Sequence, residues 1–275
     1  MIHILLSRWR QGYRTLPYPK ALPALPERFR GRPKIHPERC AESYSRGCRA
    51  CAEACPTDAI TLGPAGPRLD LGRCLFCPDC VEACPEGAIG YTQEHRLATR
   101  HREDLVTDPA EEYRLAAALD GEMKRLFGRS LKLRVVSAGG CNGCEVDVNV
   151  LGTLAWDLGR FGIQYVASPR HADGLLLCGP VTKNMELAVR KTYDAIPGPK
   201  LVIAVGACAI AGGPYYQQEE QLGGAASVVP VDLFIPGCPP HPLTILDGLL
   251  RLLGRIGTNG RDGTRPLDGG ETSQK

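Results

Sequence analysis

From residue 131 onward, short apolar runs alternate with segments of helical spacing. The runs LKLRVVS (131–137), GIQYVA (162–167), DGLLLC (173–178), KLVIAV (200–205) and VDLFI (231–235) predict strands, and the stretches near 144–160, 183–195 and 241–254 predict helices. Strands that alternate with helices build a mostly parallel sheet flanked by helices. Before residue 131 that rhythm is missing. Residues 1–39 are rich in Pro and Arg, and repeated prolines remove backbone donors, so this stretch predicts an extended arm that wraps over a neighbour, or disorder before Arg28. Asp108 as N-cap, Pro109 at the first helical position and Glu111 predict a bridging helix over DPAEEYRLAAALDGEMKRLFG. After Gly254 apolar periodicity stops, which predicts a disordered tail.

A chain of 275 residues, 43% hydrophobic, has length for one or two domains, and two are expected. The net charge of +3 is small and its signs are mixed along the chain, so no nucleic-acid partner is expected. The N-terminal MIHILLSRWRQGYRTLPYP has no apolar core of signal-peptide length, no cleavage site and no twin-arginine pair, and no window reaches the roughly 20 apolar residues of a membrane span. A cytoplasmic location is expected, with membrane association through partner subunits. No G-x-G-x-x-G follows a strand and no P-loop is present, so no nucleotide site is expected.

The 13 cysteines change the picture. Their number is odd, and eight lie between Cys40 and Cys84, several only two residues apart, where mutual disulfides would be strained. Cys48, Cys51, Cys55, Pro56, Ala59 and Ile60 recur 29 positions later as Cys77, Cys80, Cys84, Pro85, Ala88 and Ile89. Two C-x2-C-x3-C-P units, each preceded by a further cysteine, form the signature of a bacterial-type ferredoxin with two [4Fe–4S] clusters, the last Cys of each run serving the other cluster. The expected division is Cys40, Cys48, Cys51 and Cys84 against Cys55, Cys74, Cys77 and Cys80. One position departs from the repeat: the offset calls for a cysteine at 45, where Ser45 stands. An insertion of about five residues after Cys40 restores the pattern; a three-iron cluster or another ligand is the alternative.

In the second half, three predicted strands run into cysteines: LRVVSAGG into Cys141 and Cys144, LVIAVGA into Cys208, VDLFIPG into Cys238. Ligands of open α/β sheets bind beyond the carboxyl ends of the strands. Gly139, Gly140, Gly143, Gly212, Gly213 and Gly237 around these thiols permit close approach of backbone amides to a bound group. A third [4Fe–4S] cage is the reading, with a four-thiolate zinc site or a dithiol as alternatives. Cys178, at the end of GLLLC, reads as a buried small hydrophobe.

At this point two resemblances stand out. FRGRPKIHPERC, the two cysteine runs and LDLGRCLFCPDCVEACPEGAI resemble the ferredoxin-type subunit of formate hydrogenlyase and related membrane-bound hydrogenases, where the first ligand follows the FRG-x-P segment at this spacing; this favours Cys40 over Ser45. GGCNGCEVDV, FGIQYVASPRHADGLLLCGPVTKNM, VGACAIAGG and VDLFIPGCPPHP are similar to the small subunit of group 4 [NiFe] hydrogenases and, more distantly, to the complex I subunit holding the last cluster before quinone. Complex I subunits carry two adjacent cysteines where this chain has CNGC, the hydrogenase-like form. The resemblance implies a fusion of two subunits, an α+β bacterial-type ferredoxin domain followed by an α/β flavodoxin-like domain with a mostly parallel sheet. It implies three [4Fe–4S] clusters, a [NiFe]-type large subunit holding the catalytic centre, membrane subunits and an upstream electron donor as partners, and no catalytic residue in this chain. Arg170 and His171 are expected near the third cluster, with an ordinary surface loop paired to Asp173 as the alternative, and Glu145 as a proton relay beside it or a solvated acid in the first turn of a helix. The expected domains are 1–27 (arm), 28–93 (ferredoxin), 94–130 (helical linker), 131–254 (hydrogenase-like) and 255–275 (tail).

Overall fold

A computed structural model describes residues 2–64, 66–107 and 113–257. The chain opens with α1 (Ile2–Gln11), followed by an irregular arm to β1 (Pro33–Ile35). Then come α2 (Pro37–Ser45), α3 (Ala50–Glu53), β2 (Ile60–Gly63), β3 (Gly66–Asp70), α4 (Asp79–Glu82), β4 (Ile89–Tyr91) and β5 (Val106–Thr107). The sequence repeat is visible as geometry: α3 and α4 are matching four-residue helices, each opening at the middle of a C-x2-C-x3-C run. β1 pairs antiparallel with β4, and β2, β3 and β5 form a second antiparallel sheet.

The second half is built on β6 (Leu131–Ser137), β7 (Ile163–Tyr165), β8 (Gly174–Cys178), β9 (Leu201–Val205) and β10 (Leu233–Ile235), reached after α5 (Gly121–Phe127). All pairs are parallel, in the order β7-β6-β8-β9-β10. The helices are α6 (Gly143–Val150), α7 (Lys183–Ala195), α8 (Ala207–Ala211) and α9 (Pro242–Leu252). Alternate residues of a strand face opposite sides. Thus Leu131, Leu133, Leu176, Ile203 and Ile235 join a core with α9 and Val148 of α6. Leu175, Leu177, Val202, Ala204 and Phe234 join the other core, which continues into the first half through Leu69, Leu71, Leu97 and Leu105. The two halves therefore share one core.

Three stretches differ from the sequence expectations. The bridging helix was expected to start at Asp108. Residues 108–112 lie outside the described residues, 113–120 are not helical, and α5 begins only at Gly121, capped by Asp120, whose carboxylate accepts from the Met123 amide at 3.0 Å. The segment before it is tied down by tertiary bonds: Thr99 and Phe234 exchange two backbone hydrogen bonds (3.0 and 2.9 Å) that cover the β10 edge, and the Leu119 amide donates to the Leu252 carbonyl at 2.9 Å. Over 113–120, non-local bonds thus stand where a helix was expected, the Ala116 amide donating to the Ala98 carbonyl at 2.7 Å beside the Leu119 bond. The helix expected near 144–160 ends at Val150, where Gly152 follows and the Thr153 hydroxyl turns back onto the Val150 carbonyl at 2.8 Å. The arm packs on this chain's own second half: the Leu16 amide donates to the Ala155 carbonyl at 2.8 Å, and Tyr18 is buried. Of the expected tail, Arg255 donates to the Gly128 carbonyl at 2.6 Å and Ile256 packs against the first core; residues 258–275 lie outside the described residues.

Candidate metal centres

Strand register assembles the cysteines of the second half. Ser137 pairs with Cys178, Cys178 with Val205, and Val205 with Ile235, so one row closes the carboxyl end of the sheet. Cys141, Cys208 and Cys238 stand three or four residues past that row, on neighbouring loops. Cys144 lies in the first turn of α6. Burial first, then the Cys208, Cys238 and Cys141 sulfurs beside it, push the Cys144 thiol up. Burial followed by Cys238 and Cys141 raises Cys208 to about 12. These thiols thus form one group.

Glycines bring the loops this close. A Cβ on Gly206 (φ +91°) would lie within 2.4 Å of Cys144 Sγ, and one on Gly213 (φ +56°) within 2.5 Å of Cys208 Sγ. Only glycine accepts both the contact and the left-handed backbone.

The first half makes two further groups. Cys40, Cys48, Cys51 and Cys84 line one cavity with Ile35, Ile89 and Pro85. Cys40 sits within α2, which Gly47 (φ +85°) then turns back toward Cys48. Ser45 ends that helix with its hydroxyl on the Glu42 carbonyl at 2.7 Å and does not line the cavity. The extra residues after Cys40 are thus a helical excursion. In the other group, burial and then Cys80, Cys55 and Cys77 raise the Cys74 thiol to about 12, against an opposing hydrogen bond from Phe76. Burial, Cys77 and Cys55 raise Cys80 to about 11.

The backbone fits thiolates bound to metal. The Ala59 amide donates to Cys55 Sγ at 3.2 Å, the Ala88 amide to Cys84 Sγ at 3.3 Å and the Phe76 amide to Cys74 Sγ at 3.3 Å. The first two repeat the same i+4 geometry in the duplicated C-P-x2-A segments, and burial of both Ala59 and Ala88 at the same place leaves room only for a small side chain. Amide donors hold negative charge on sulfur and tune a cluster's potential. Among the described residues, no three His, Cys, Asp or Glu side chains are grouped to hold a single metal ion. The amides aimed at Cys55, Cys74 and Cys84, and the glycines that let loops close on Cys144 and Cys208, fit thiolates gathered around a bound iron–sulfur group.

Burial and crowding favour protonated thiols. In cluster-free protein they contribute stability present below the ordinary thiol pKa near 9 and lost as pH rises toward about 12. The cluster-free chain is therefore expected to lose thermal stability between about pH 8.5 and 10.5, whereas loading removes these protons and flattens the profile. Thermal unfolding of both forms across that range checks this; parallel profiles would refute it.

The structure separates the remaining residues singled out in the sequence. Glu145 is buried with the third group, 6% exposed, and its Oε1 has no hydrogen-bond partner. Cys178 is wholly buried beside the same group, its thiol pushed up by burial and then by Cys144, Glu145 and Cys208. Arg170 and His171 are not brought there. They are exposed and precede β8, whereas the cysteine loops follow the strands. In a parallel sheet these are opposite ends, so the expectation that they neighbour the third cluster is corrected. Sequence reasoning missed His95 and His241. His241 caps α9, its Nδ1 accepting from the Leu243 amide at 3.1 Å three residues after Cys238. His95 is 2% exposed with neither ring nitrogen hydrogen-bonded. No local motif distinguishes these histidines from ordinary core ones.

Comparison with known proteins matches one family to each half of the chain. Residues 44–88 match the 4Fe-4S dicluster domain, and residues 141–252 match the NADH ubiquinone oxidoreductase, 20 Kd subunit. A probable membrane-bound hydrogenase subunit of Pyrococcus furiosus is 37% identical over 60% of this chain and 99% of its own length. The chain belongs to the 20 Kd subunit family, with a ferredoxin dicluster domain fused in front. An uncharacterized protein of Methanocaldococcus jannaschii is 42% identical over 47% of this chain and 88% of its own length. Formate hydrogenlyase subunit 7 of Escherichia coli is 40% identical over 51% of this chain and 55% of its own length. Among the described residues, no helix is long and apolar enough to cross a membrane.

Proposed function

We propose that this chain is an iron–sulfur electron-transfer subunit of a membrane-associated, formate hydrogenlyase-like group 4 [NiFe] hydrogenase complex. It would hold three [4Fe–4S] clusters: one on Cys40, Cys48, Cys51 and Cys84, one on Cys55, Cys74, Cys77 and Cys80, and one on Cys141, Cys144, Cys208 and Cys238. Such clusters, when bound, supply one-electron transfer at potentials set by the protein around them. The hydrogen chemistry belongs to a large subunit, so this chain is an oxidoreductase subunit without a catalytic residue of its own. Membrane subunits and an upstream donor complete the complex on the inner face of the membrane.

One observation carries this reading: the thiol groups neighbour one another, Leu75 and Phe76 of the second group's loop lining one cavity with Cys238 of the third. Cys51 of the first quartet is among the charges acting on Cys80 of the second, and Cys77 of the second acts on Cys238 of the third. The exposure of Cys141 and Cys238 leaves the third quartet open to a partner surface. Glu145 would move protons at that boundary. The strand order, second-first-third-fourth-fifth along the chain, supports a flavodoxin-like second half. The proposed units are 1–27, 28–93, 94–130 and 131–254, the third now a packed connector.

A complex I-like quinone-reductase module is the second reading, favoured by the NADH ubiquinone oxidoreductase match. The two-residue gap between Cys141 and Cys144 weighs against it. Iron, sulfide, zinc and nickel content of the anaerobically purified native complex tests both. About twelve irons in this chain, with nickel in a partner, is the expected result. The same iron without nickel would favour the quinone reading, and zinc in place of iron would end both.

A further inference from the structure

α1 has no buried residue. Its apolar side chains Ile2, Leu5, Leu6 and Trp9 recur at i, i+3, i+4 and i+7, one face of a helix. Trp9 is 82% exposed and Leu5 68%. Ile4 alone stands off the stripe. Among the described residues nothing covers the face, although the foot of the arm is firmly seated: the Arg160 guanidinium donates to the Tyr18 carbonyl at 2.9 Å, and the Tyr18 hydroxyl to Asp247 at 2.7 Å. Gly12 (φ +61°) ends the helix between the seated arm and the bare stripe, its amide on the Arg8 carbonyl at 3.1 Å.

The charge beside the stripe has one sign. Arg8, Arg10, Arg14 and Lys20 are the formal charges of residues 1–26, and the first acidic side chain is Glu27. A protein groove of mixed charge would be met by mixed charge; a uniformly cationic rim around an apolar stripe with an exposed tryptophan matches an anionic lipid surface. Ten residues span about 15 Å, too short to cross a bilayer and suited to lying in its headgroup plane.

We propose that α1 is an interfacial helix that seats this chain directly on anionic lipid, with Ile2, Leu5, Leu6 and Trp9 entering the headgroup boundary and Arg8, Arg10 and Arg14 meeting lipid phosphates. This contact is additional to any partner subunit and does not depend on the electron-transfer reading.

The test uses the full chain with its iron–sulfur absorbance intact, floated with phosphatidylcholine vesicles with and without about one-quarter phosphatidylglycerol. Binding is expected to be at least about tenfold tighter on the anionic vesicles, each Arg→Gln change at positions 8, 10 or 14 weakening it about fivefold. Trp9 emission should shift to the blue on binding, while Trp156, 9% exposed in the core, stays unchanged, so Trp9→Phe removes the shift. The double variant L5E/W9E should abolish binding and keep the visible absorbance. No vesicle affinity in chain of full absorbance would overturn the proposal, as would unchanged binding by L5E/W9E. Release of L5E/W9E from a lipid-free, detergent-solubilised complex, with vesicle binding unaltered, would assign the stripe to a protein groove instead.

Discussion

Replacing Cys208 by alanine is expected to remove one iron–sulfur cluster and leave two. Cys208 is the thiol that β9 delivers to the third quartet, 7% exposed and held against Gly213, where no larger residue fits. Alanine keeps the backbone of α8 and removes only the sulfur. The ferredoxin quartets draw all their thiols from residues 40–84 and share none with β9. Iron content should fall by about one-third, from about twelve to about eight, with the paramagnetic signals of the ferredoxin pair retained. Reduction of the large subunit through this chain should stop. Loss of all three signals together would show that the quartets do not assemble independently. Retention of twelve irons would show that Cys208 is not a ligand.

Asp247→Ala is expected to give the largest loss of stability. Asp247 lies within α9, 0% exposed, accepting from the Tyr18 hydroxyl and from Arg251 Nε, each at 2.7 Å. Arg251, one turn on and 2% exposed, gives its remaining bond to the Gly257 carbonyl at 2.8 Å. Alanine would leave that guanidinium buried without its counter-ion, which costs about 3–5 kcal/mol. For a chain of this size the melting temperature should fall by roughly 10 °C. The double variant D247A/R251M removes both charges and should recover most of the loss, because the penalty lies in the orphaned charge. A fall below about 2 °C for Asp247→Ala would show that solvent reaches Arg251 and that the arm is held without the Tyr18–Asp247 bond.

The pair also shows where sequence reasoning stops. Tyr18 and Asp247 are 229 residues apart, and nothing near either residue announces the other. Read alone, the arm's prolines suggested reach toward a neighbour or disorder; its burial on α9 follows from one tyrosine meeting one carboxylate in the folded core. Arg170 and His171 failed for a related reason. A sequence places them in a loop between two apolar runs, but only parallel pairing of β6 with β8 decides that this loop lies at the end of the sheet away from Cys141.

By itself the sequence determined the chemistry and its duplication. Ligand spacing in C-x2-C-x3-C-P is local, since residues two or three apart on a short helix and turn converge whatever surrounds them. Apolar runs likewise determined the strands: β8, β9 and β10, buried along their whole length, are apolar throughout, while β6 and β7 toward the sheet edge keep polar residues at exposed positions. Tertiary structure alone decided that the arm is seated on α9, that Arg170 and His171 lie at the end of the sheet away from Cys141, and that residues 113–120 bond to Ala98 and Leu252 instead of coiling. Each of these depends on register and packing between segments far apart in the chain, where the free energy lies in contacts that no local pattern records.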